Sequence, residues 1–382
     1  MTSSLQESFI KIIRLGIGHQ TEALSSPVNW DELQTLAERQ GLSAVLVDGI
    51  EQLPDSQRPP KDVLLQMIGQ VVQGYELRYE SYRRAIAELA SFYTKHDLKM
   101  MVLKGYACSL GWPKSEHRPC GDIDIWLFGK QREGDEALLK ANTNRTKVQL
   151  DGPEGKVNNT NHFEIDKSHH HHTVFDWKGF TVENHYDFVN VHAHKSSAEL
   201  EKVFKELGED DSHFVEISDT ATGSVIKVYM PSPNLHALFL IKHMVSHFAA
   251  AEISLRQVLD WAFFAGKHTK EIDWVWLDEM LEKYSMKDLF NCINGICVED
   301  LGFAPEIFPS VQFLPDLKEK VLDDILEPEF GAAEPAGLLS RLAYRYRRWQ
   351  GNAWKQELCY NESRWEYFWY GIWAKMLKPA SF

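Results

Sequence analysis

The 382 residues of this chain suffice for two or three domains with a sizeable hydrophobic core, which excludes a single small module. The formal net charge is −14, from 41 lysine and arginine residues against 55 aspartate and glutamate residues. This balance disfavours broad binding of duplex nucleic acid through many phosphate contacts, although it allows a local basic patch. Charged residues at 25% and hydrophobic residues at 44% exclude a disordered or fibrous protein.

Cysteine usage and hydropathy indicate where the chain works. The five cysteines show no C-x-x-C spacing, which argues against a disulfide framework or a thiolate zinc site. No stretch approaches the ~18–20 apolar residues of a membrane span, and the N-terminal residues lack the apolar core of a signal peptide. We therefore expect a soluble protein of the reducing cytoplasm.

The opening third of the chain has the periodicity of helices. Apolar residues recur at steps of three and four from Trp30 to Ala37, with Asn29 or Asp31 as the N-cap and Gly41 as the terminating residue. Further helical runs are predicted at residues 63–72 and at about 74–95. This region is predicted to be all-helical.

Strand patterns follow. Residues 98–105, LKMMVLKG, predict a short buried strand, and residues 121–128, GDIDIWLF, alternate polar and apolar side chains with a period of two. Residues 130–161 are predicted to begin as a helix and to become a polar loop. Two alternating segments joined by Lys178 and Gly179 then predict a hairpin, in which Thr181, Glu183, His185 and Asp187 share one face.

Helical patterns return after Pro231. Ser232 is the predicted N-cap and Pro233 the first residue of a helix with an apolar stripe. Further helices are predicted at residues 254–266, 274–284 and 287–301. The tail from residue 341 to 382 carries five tryptophans and eight basic against three acidic residues. Packing on the rest of the protein is the favoured role for this tail, with peripheral docking on an anionic membrane or nucleic-acid binding as alternatives.

The D-x-D pattern carries the first chemical signal. Alternation places Asp122 and Asp124 on one face of a buried strand, where two like charges are costly unless a cation lies between them. Mg²⁺ prefers oxygen ligands and commonly bridges protein carboxylates to substrate phosphates. The pattern therefore favours phosphoryl or nucleotidyl transfer when its context agrees, and otherwise a solvated strand face.

The context resembles a known family. The motif L-K-G at residues 103–105, Arg118, and D-I-D-I at residues 122–125 resemble the nucleotidyltransferase superfamily, which has the DNA polymerase beta-like fold. The closest resemblance is to the uncharacterised bacterial nucleotidyltransferase family. It covers roughly residues 25–265, and further agreement lies at Val182, Glu183, His185, His243, His247, Arg256, Leu259 and Asp260.

The resemblance implies specific roles. Asp122 and Asp124 would hold Mg²⁺ or Mn²⁺, and Glu183 would be the third carboxylate, either holding a second ion or deprotonating the acceptor. Lys104 and Arg118 are natural phosphate partners, with an ion pair to Asp122 or Asp124 as the alternative. Where the superfamily has Gly-Ser or Gly-Gly, this chain has Gly105-Tyr106, which keeps backbone N–H groups for a phosphate but lacks a hydroxyl.

Histidines supply the remaining candidates. Strand alternation would put His170 and His172 on one face and His169 and His171 on the other, so His172 is expected to line the cleft with His185 and a zinc site is disfavoured. His243 and His247 have a spacing that can chelate zinc, but a helix face lining the cleft is favoured. From the same helix Lys242 could reach a phosphate, and Arg256 with Asp260 is expected to form a helix ion pair.

These patterns predict an α+β fold, with a nucleotidyltransferase-like mixed sheet core flanked by N-terminal helices and a C-terminal helical domain. The predicted regions are 1–90, 91–230 and 231–382. The expected reaction is metal-dependent transfer of a nucleoside monophosphate from an NTP to an unidentified small-molecule, protein or nucleic-acid acceptor. The alternatives are a two-metal phosphohydrolase and a catalytically silent nucleotide-binding or scaffold protein.

Overall fold

The computed structural model of the chain describes most of its residues. These are residues 3–21, 24, 28–150, 163–194, 196–218, 223, 225–309, 312, 314–330, 335–360, 363, 365, 366 and 369. The polar loop predicted before residue 161 lies mainly at residues 151–162, outside the described residues, as does much of the tail beyond residue 360.

In the described chain, the segments that precede and follow the sheet-forming middle part are mainly helical. The α-helices are α1 (Ser4–Gly16), α2 (Trp30–Gln40), α3 (Ser43–Gln52), α4 (Lys61–Val71), α5 (Leu77–Thr94), α6 (Tyr106–Ser109), α7 (Gln131–Leu150), α8 (Ser197–Leu207), α9 (Pro233–Ala250), α10 (Leu255–His268), α11 (Trp274–Lys283), α12 (Lys287–Gly295), α13 (Pro315–Leu326), α14 (Leu338–Gly351) and α15 (Ala353–Tyr360). A π-helical turn joins α4 to α5, where the sequence predicts two separate helical runs.

The middle of the chain forms a mixed sheet. Its strands are β1 (Met101–Val102), β2 (Ile123–Trp126), β3 (His172–Trp177), β4 (Phe180–His185), β5 (Phe214–Ser218) and β6 (Val225–Tyr229). Among the described residues the strand order is β3-β4-β2-β1-β6-β5, with parallel pairs β2/β4 and β1/β6 and antiparallel pairs elsewhere. The predicted α+β class and mixed sheet are confirmed, whereas β5 and β6 are absent from the sequence prediction.

The chain forms two compact units, and each unit is built from segments that are separate in the sequence. Unit 1 comprises Met1–Tyr79, Cys108–Pro119 and His236–Phe368, and unit 2 comprises Glu80–Ala107, Cys120–Leu235 and Trp369–Phe382. The sheet belongs to unit 2. The three-part division at residues 90 and 230 stays a prediction.

Helices of unit 1 approach one another closely. Gly49 of α3 lies against α1, where an added Cβ would stand 2.0 Å from the backbone oxygen of Ile12. In the C-terminal part of the unit, α10 buries Trp261, whose indole N–H donates to Asn294 Oδ1 of α12 at 2.7 Å. Small residues and paired polar groups thus allow close helix packing in this unit.

In unit 2, α7 packs against one face of the sheet. Thr173 of β3 donates to Asp135 of α7 at 3.1 Å, and Asn184 of β4 donates to the same carboxylate at 2.9 Å. Side chains alternate between the two faces along a strand, so Asp124 and Glu183 lie on the opposite face. The contacts of α7 therefore fix which face of the sheet carries the candidate site.

Candidate active site

Strands β2 and β4 run side by side and place two carboxylates next to each other. Asp124 and Glu183 are register partners in this parallel pair, and partners on neighbouring strands present their side chains on the same face. Asp124 is 5% exposed, and Glu183 is half-buried. The register thus joins the D-x-D strand to the Val-Glu-x-His strand at their acidic residues.

A histidine completes the acidic pair. His185 Nε2 lies 3.3 Å from Asp124 Oδ1 and 3.7 Å from Glu183 Oε2. Its Nδ1 lies 3.2 Å from the backbone oxygen of Asp187, and because that oxygen only accepts, Nδ1 carries the donated proton. One potential ligand atom from each of Asp124, Glu183 and His185 lies within 4.8 Å of the other two.

Lys104 brings positive charge to the same place from the end of β1. The N–H of the preceding residue, Leu103, donates to the backbone oxygen of Asp124 at 3.0 Å. This bond holds the chain beside β2, and Lys104 Nζ lies 2.7 Å from Asp124 Oδ1. The ion pair proposed from sequence as the alternative to phosphate binding is therefore present with Asp124.

The charges of the site shift its pKa values. Burial acts to raise the pKa of Asp124, but the charge of Lys104 and the hydrogen bond from His185 bring it well below its usual range. Burial acts to lower the pKa of His185, but the hydrogen bond to Asp124 and the nearby Glu183 carboxylate raise it to about 8. For Glu183, burial is likewise outweighed by the nearby His185 imidazole, which leaves the pKa of Glu183 lowered. Both carboxylates are therefore ionised at neutral pH.

Gly105 occupies a position that other residues would strain. Its φ is +53°, in the left-handed region, and an added Cβ would stand 2.2 Å from the Tyr82 hydroxyl oxygen. That hydroxyl donates to the backbone oxygen of Asp122 at 2.9 Å. Glycine is therefore required here by conformation and by packing, and its predicted phosphate contact stays a prediction.

The four-histidine run departs from strand alternation. Strand β3 begins at His172, so the three preceding histidines lie in a bend outside the strand and the predicted alternation is wrong for them. His172 is the register partner of His185. The backbone oxygen of His171 accepts the N–H of Tyr186 at 3.0 Å. The centroid of the His171 ring lies 4.4 Å from that of the His172 ring. His171, which the sequence did not single out as a site residue, therefore joins the same side of the hairpin.

Two other acidic residues lie outside this group. Asp122 precedes β2 and is exposed, and among the described residues it does not belong to the cluster that contains Asp124. Its metal-binding role stays a prediction. Strand β4 ends at His185, so Asp187 follows the strand, and its carboxylate forms an ion pair with Lys205 of α8.

Arg118 is bound to an aspartate within unit 1. Its Nε and Nη2 donate to Asp260 Oδ1 and Oδ2 of α10 at 2.7 and 2.9 Å, and the indole N–H of Trp112 also donates to Oδ1 at 2.9 Å. The predicted pair between Arg256 and Asp260 is wrong, because the bidentate Arg118 occupies both oxygens of this carboxylate. Arg118 as a nucleotide contact stays a prediction.

The α9 candidates also lie in unit 1. Buried Lys242 donates to Ser246 Oγ and to the Tyr360 hydroxyl, each at 3.0 Å. The rings of His243 and His247 stand 4.3 Å apart, with His247 exposed. Their proposed roles in nucleotide binding and in lining a cleft stay predictions.

A family comparison adds to this geometry. The profile of the uncharacterised nucleotidyltransferase family matches residues 26–301, well over half of the sequence. The chain belongs to this family. No curated protein and no solved structure matches it. Family membership supports nucleotidyl transfer as the general activity, and the matched range includes Asp124, Glu183 and His185.

The donor set of this family member fits a divalent cation. Two ionised carboxylates converge with one imidazole nitrogen, and Lys104 places positive charge of the chain itself against Asp124. Carboxylate oxygens suit Mg²⁺ and Mn²⁺, and imidazole suits later transition metals. Asp124 and Glu183 are therefore able to hold a divalent ion, whose identity the family does not specify.

Within the part of the chain that the structure describes, no helix is both long and apolar enough to cross a membrane. All five cysteines are buried and free.

In the tail, Trp365 and Trp369 are exposed, and the other tail residues beyond Tyr360 lie mostly outside the described ranges. The role of the basic tail stays open between packing and partner binding.

Proposed function

We propose that this chain transfers a nucleoside monophosphate from an NTP to a hydroxyl or phosphate acceptor in a metal-dependent reaction that releases pyrophosphate. One observation carries the proposal: the parallel register that places Glu183 beside Asp124, with His185 in contact with both. In a member of a nucleotidyltransferase family, neighbouring carboxylates that are able to hold a divalent ion support a metal-dependent transfer reaction.

The reaction is a displacement at the α-phosphorus of the NTP. An acceptor oxygen attacks this phosphorus, the bond from it to the β-phosphate oxygen breaks, and pyrophosphate leaves. Asp122, Asp124 and Glu183 would hold Mg²⁺ or Mn²⁺, which when bound supplies positive charge to the phosphates. In its role as the base Glu183 takes the acceptor proton, the alternative being that it holds a second ion. Lys104 offsets the charge of Asp124 before substrate binds and that of the triphosphate afterwards.

Other residues of the same sheet face support these roles. The backbone after β1 turns at Gly105 and presents its N–H groups to a phosphate. His172 and His185 lie beside Glu183, and their rings are assigned here to exclude water and to position the acceptor.

The primary experiment identifies the reaction class. Purified protein is incubated with each of the four α-labelled NTPs and Mg²⁺ or Mn²⁺, with cell extract as the source of acceptors. A labelled adduct with release of pyrophosphate supports the proposal. Orthophosphate or nucleoside monophosphate without an adduct indicates a phosphohydrolase, and binding without turnover indicates a silent scaffold protein; either result overturns it.

Two substitutions with a matched control test the assignment of residues. Asp124→Asn should abolish metal-dependent NTP binding, and Glu183→Gln should keep NTP binding within a few-fold while turnover falls by about 10²–10⁴. Asp187→Asn is the control, because this carboxylate follows the same strand but is paired with Lys205. An inactive Asp187→Asn protein alongside an active Glu183→Gln protein would reverse the assignment.

A further inference from the structure

A second group of potential metal ligands lies beside the carboxylates. One ring nitrogen from each of His171, His172 and His185 lies within 4.8 Å of the other two. The ring centroids of His171 and His172 stand 5.5 and 5.2 Å from that of His185. His172 is 6% exposed and His185 2%. Three imidazoles therefore converge, with His172 and His185 buried and His171 half-buried.

Three ring nitrogens of this group lack a hydrogen-bond partner. Both ring nitrogens of His172 and Nδ1 of His171 are buried without a hydrogen-bond partner. A buried polar atom without a partner is costly, so such atoms at one place indicate a ligand that satisfies them. A neutral imidazole offers one donor and one acceptor, and neither nitrogen of His172 finds a hydrogen-bond partner among the neighbouring rings.

The backbone holds the three rings where they are. His172 and His185 are register partners in the β3/β4 hairpin, so their side chains share a face. The backbone oxygen of His171 accepts N–H groups from Tyr186 and Asp187, which fixes the bend that precedes the strand. His185 Nδ1 donates to the Asp187 backbone oxygen, the arrangement that commonly orients a metal-ligating histidine.

We infer that His171, His172 and His185 bind one transition-metal ion of the Zn²⁺ class, with Glu183 as a neighbouring carboxylate. Glu183 Oε2 lies 3.8 Å from His172 Nδ1 and 3.7 Å from His185 Nε2. Imidazole nitrogens suit Zn²⁺ and related ions, whereas Mg²⁺ prefers oxygen. Nitrogens bound to one Zn²⁺ stand roughly 3.3 Å apart, so a small closing rotation of the rings completes the site.

This inference concerns cation binding and does not depend on nucleotidyl transfer. Its test uses Co²⁺ as a spectroscopic substitute for Zn²⁺ and needs no assay of activity. Full-length metal-free protein titrated with Co²⁺ should develop the intense visible bands of a four-coordinate ion at one equivalent. One equivalent of Zn²⁺ should remove the bands, and excess Mg²⁺ should not. Only the weak bands of six-coordinate Co²⁺ would overturn the inference.

Variants locate the site. His171→Gln and His172→Gln should each abolish the intense bands and weaken Zn²⁺ binding by about 100-fold or more, beyond the effect of losing an outer partner. His213→Gln is the control, because His213 pairs with Asp210 at 3.7 Å and lies outside the group. A protein that keeps the bands in both test variants, or loses them equally in the control, contradicts the assignment.

Two further variants separate the loss of a histidine ligand from misfolding and from loss of the carboxylate site. If His172→Gln fails to fold, His172→Cys replaces it as the test variant. Cysteine is itself a metal ligand, so this protein should bind Zn²⁺ and should show an added sulfur-to-cobalt band with Co²⁺. Asp124→Asn should retain the bands while losing Mg²⁺-dependent NTP binding. Failure of the proposed transferase activity therefore leaves the histidine site testable, and loss of the histidine site leaves the transferase proposal testable. A His172→Cys protein that folds but binds no Zn²⁺ overturns the inference.

Discussion

Replacing Asp260 is expected to destabilise unit 1 more than replacing the arginine that binds it. Asp260 accepts two hydrogen bonds from Arg118 and one from Trp112. One turn earlier on α10, burial and the charge of Arg118 lower the pKa of Arg256, and the charge of Asp260 opposes this shift. Arg256 Nε is buried without a hydrogen-bond partner. A single carboxylate therefore serves the buried guanidinium of Arg118 and lies near that of Arg256.

The expected magnitudes follow from this asymmetry. Removing one partner of a buried ion pair costs about 3–5 kcal/mol, chiefly because the other charge stays buried. Asp260→Asn keeps an acceptor for Trp112 but leaves two like charges, so its effect on the free energy of unfolding should be near the upper end, about 5 kcal/mol. Arg118→Met leaves Asp260 with Arg256 nearby, so its effect should be near the lower end, about 3 kcal/mol.

Urea unfolding followed by tryptophan fluorescence measures these differences, with unchanged m values as the condition for comparing midpoints. The control is Asp55→Asn, since Asp55 is 94% exposed in its pair with Arg58 and should change stability by less than about 1 kcal/mol. The double variant Arg118→Met/Asp260→Leu should cost less than the sum of the single effects. A larger loss for Arg118→Met than for Asp260→Asn, or strict additivity, would refute this account.

Three further predictions address separate features. Gly105→Ala should destabilise the protein by at least about 1–2 kcal/mol because of the positive φ at this position. Adding Tyr82→Phe to Gly105→Ala should recover part of the loss in thermal midpoint, because it removes the clashing hydroxyl. A Gly105→Ala protein with an unchanged thermal midpoint contradicts this prediction. Burial lowers the pKa of His236 to about 3, so between pH 7 and pH 5 the unfolded chain binds a proton that the folded chain does not. The free energy of unfolding should therefore fall by about 2 kcal/mol from this group over that range. His236→Gln should flatten that part of the measured pH dependence of stability. Lys104→Ala should weaken NTP binding in calorimetry by about 1.5–3 kcal/mol and nucleoside binding hardly at all, and an equal loss for both would make Lys104 structural.

Local signals in the sequence were sufficient for many elements. Helix α2 begins after Asn29, whose side chain accepts the N–H of Glu32, and ends at Gly41 with φ +66°. The β3/β4 hairpin turns at Lys178 and Gly179, both with positive φ. Caps, turns and periodicity act over a few residues, so they are readable without the fold.

The sequence also predicted which residue types belong to the candidate site, but it did not predict which of these residues lie next to one another. The D-x-D strand and the Val-Glu-x-His strand each carried a chemical signal, and the family match agrees with that interpretation. Their sequences do not state that Asp124 stands beside Glu183, because a parallel register is fixed by hydrogen bonds between distant segments. The sequence also extended the β2 pattern to Asp122, which in the structure precedes the strand and is exposed.

Partner choice among charged and aromatic groups belonged to the tertiary structure alone. Asp260 lies one helical turn from Arg256, yet it binds Arg118, which presents two donors in the geometry of a carboxylate. Alternation separated His171 from His172, yet both rings lie near His185 because the strand begins only at His172. Sequence determined which groups were present and their local conformation, whereas long-range packing determined which of them met, because these contacts join segments that are distant along the chain.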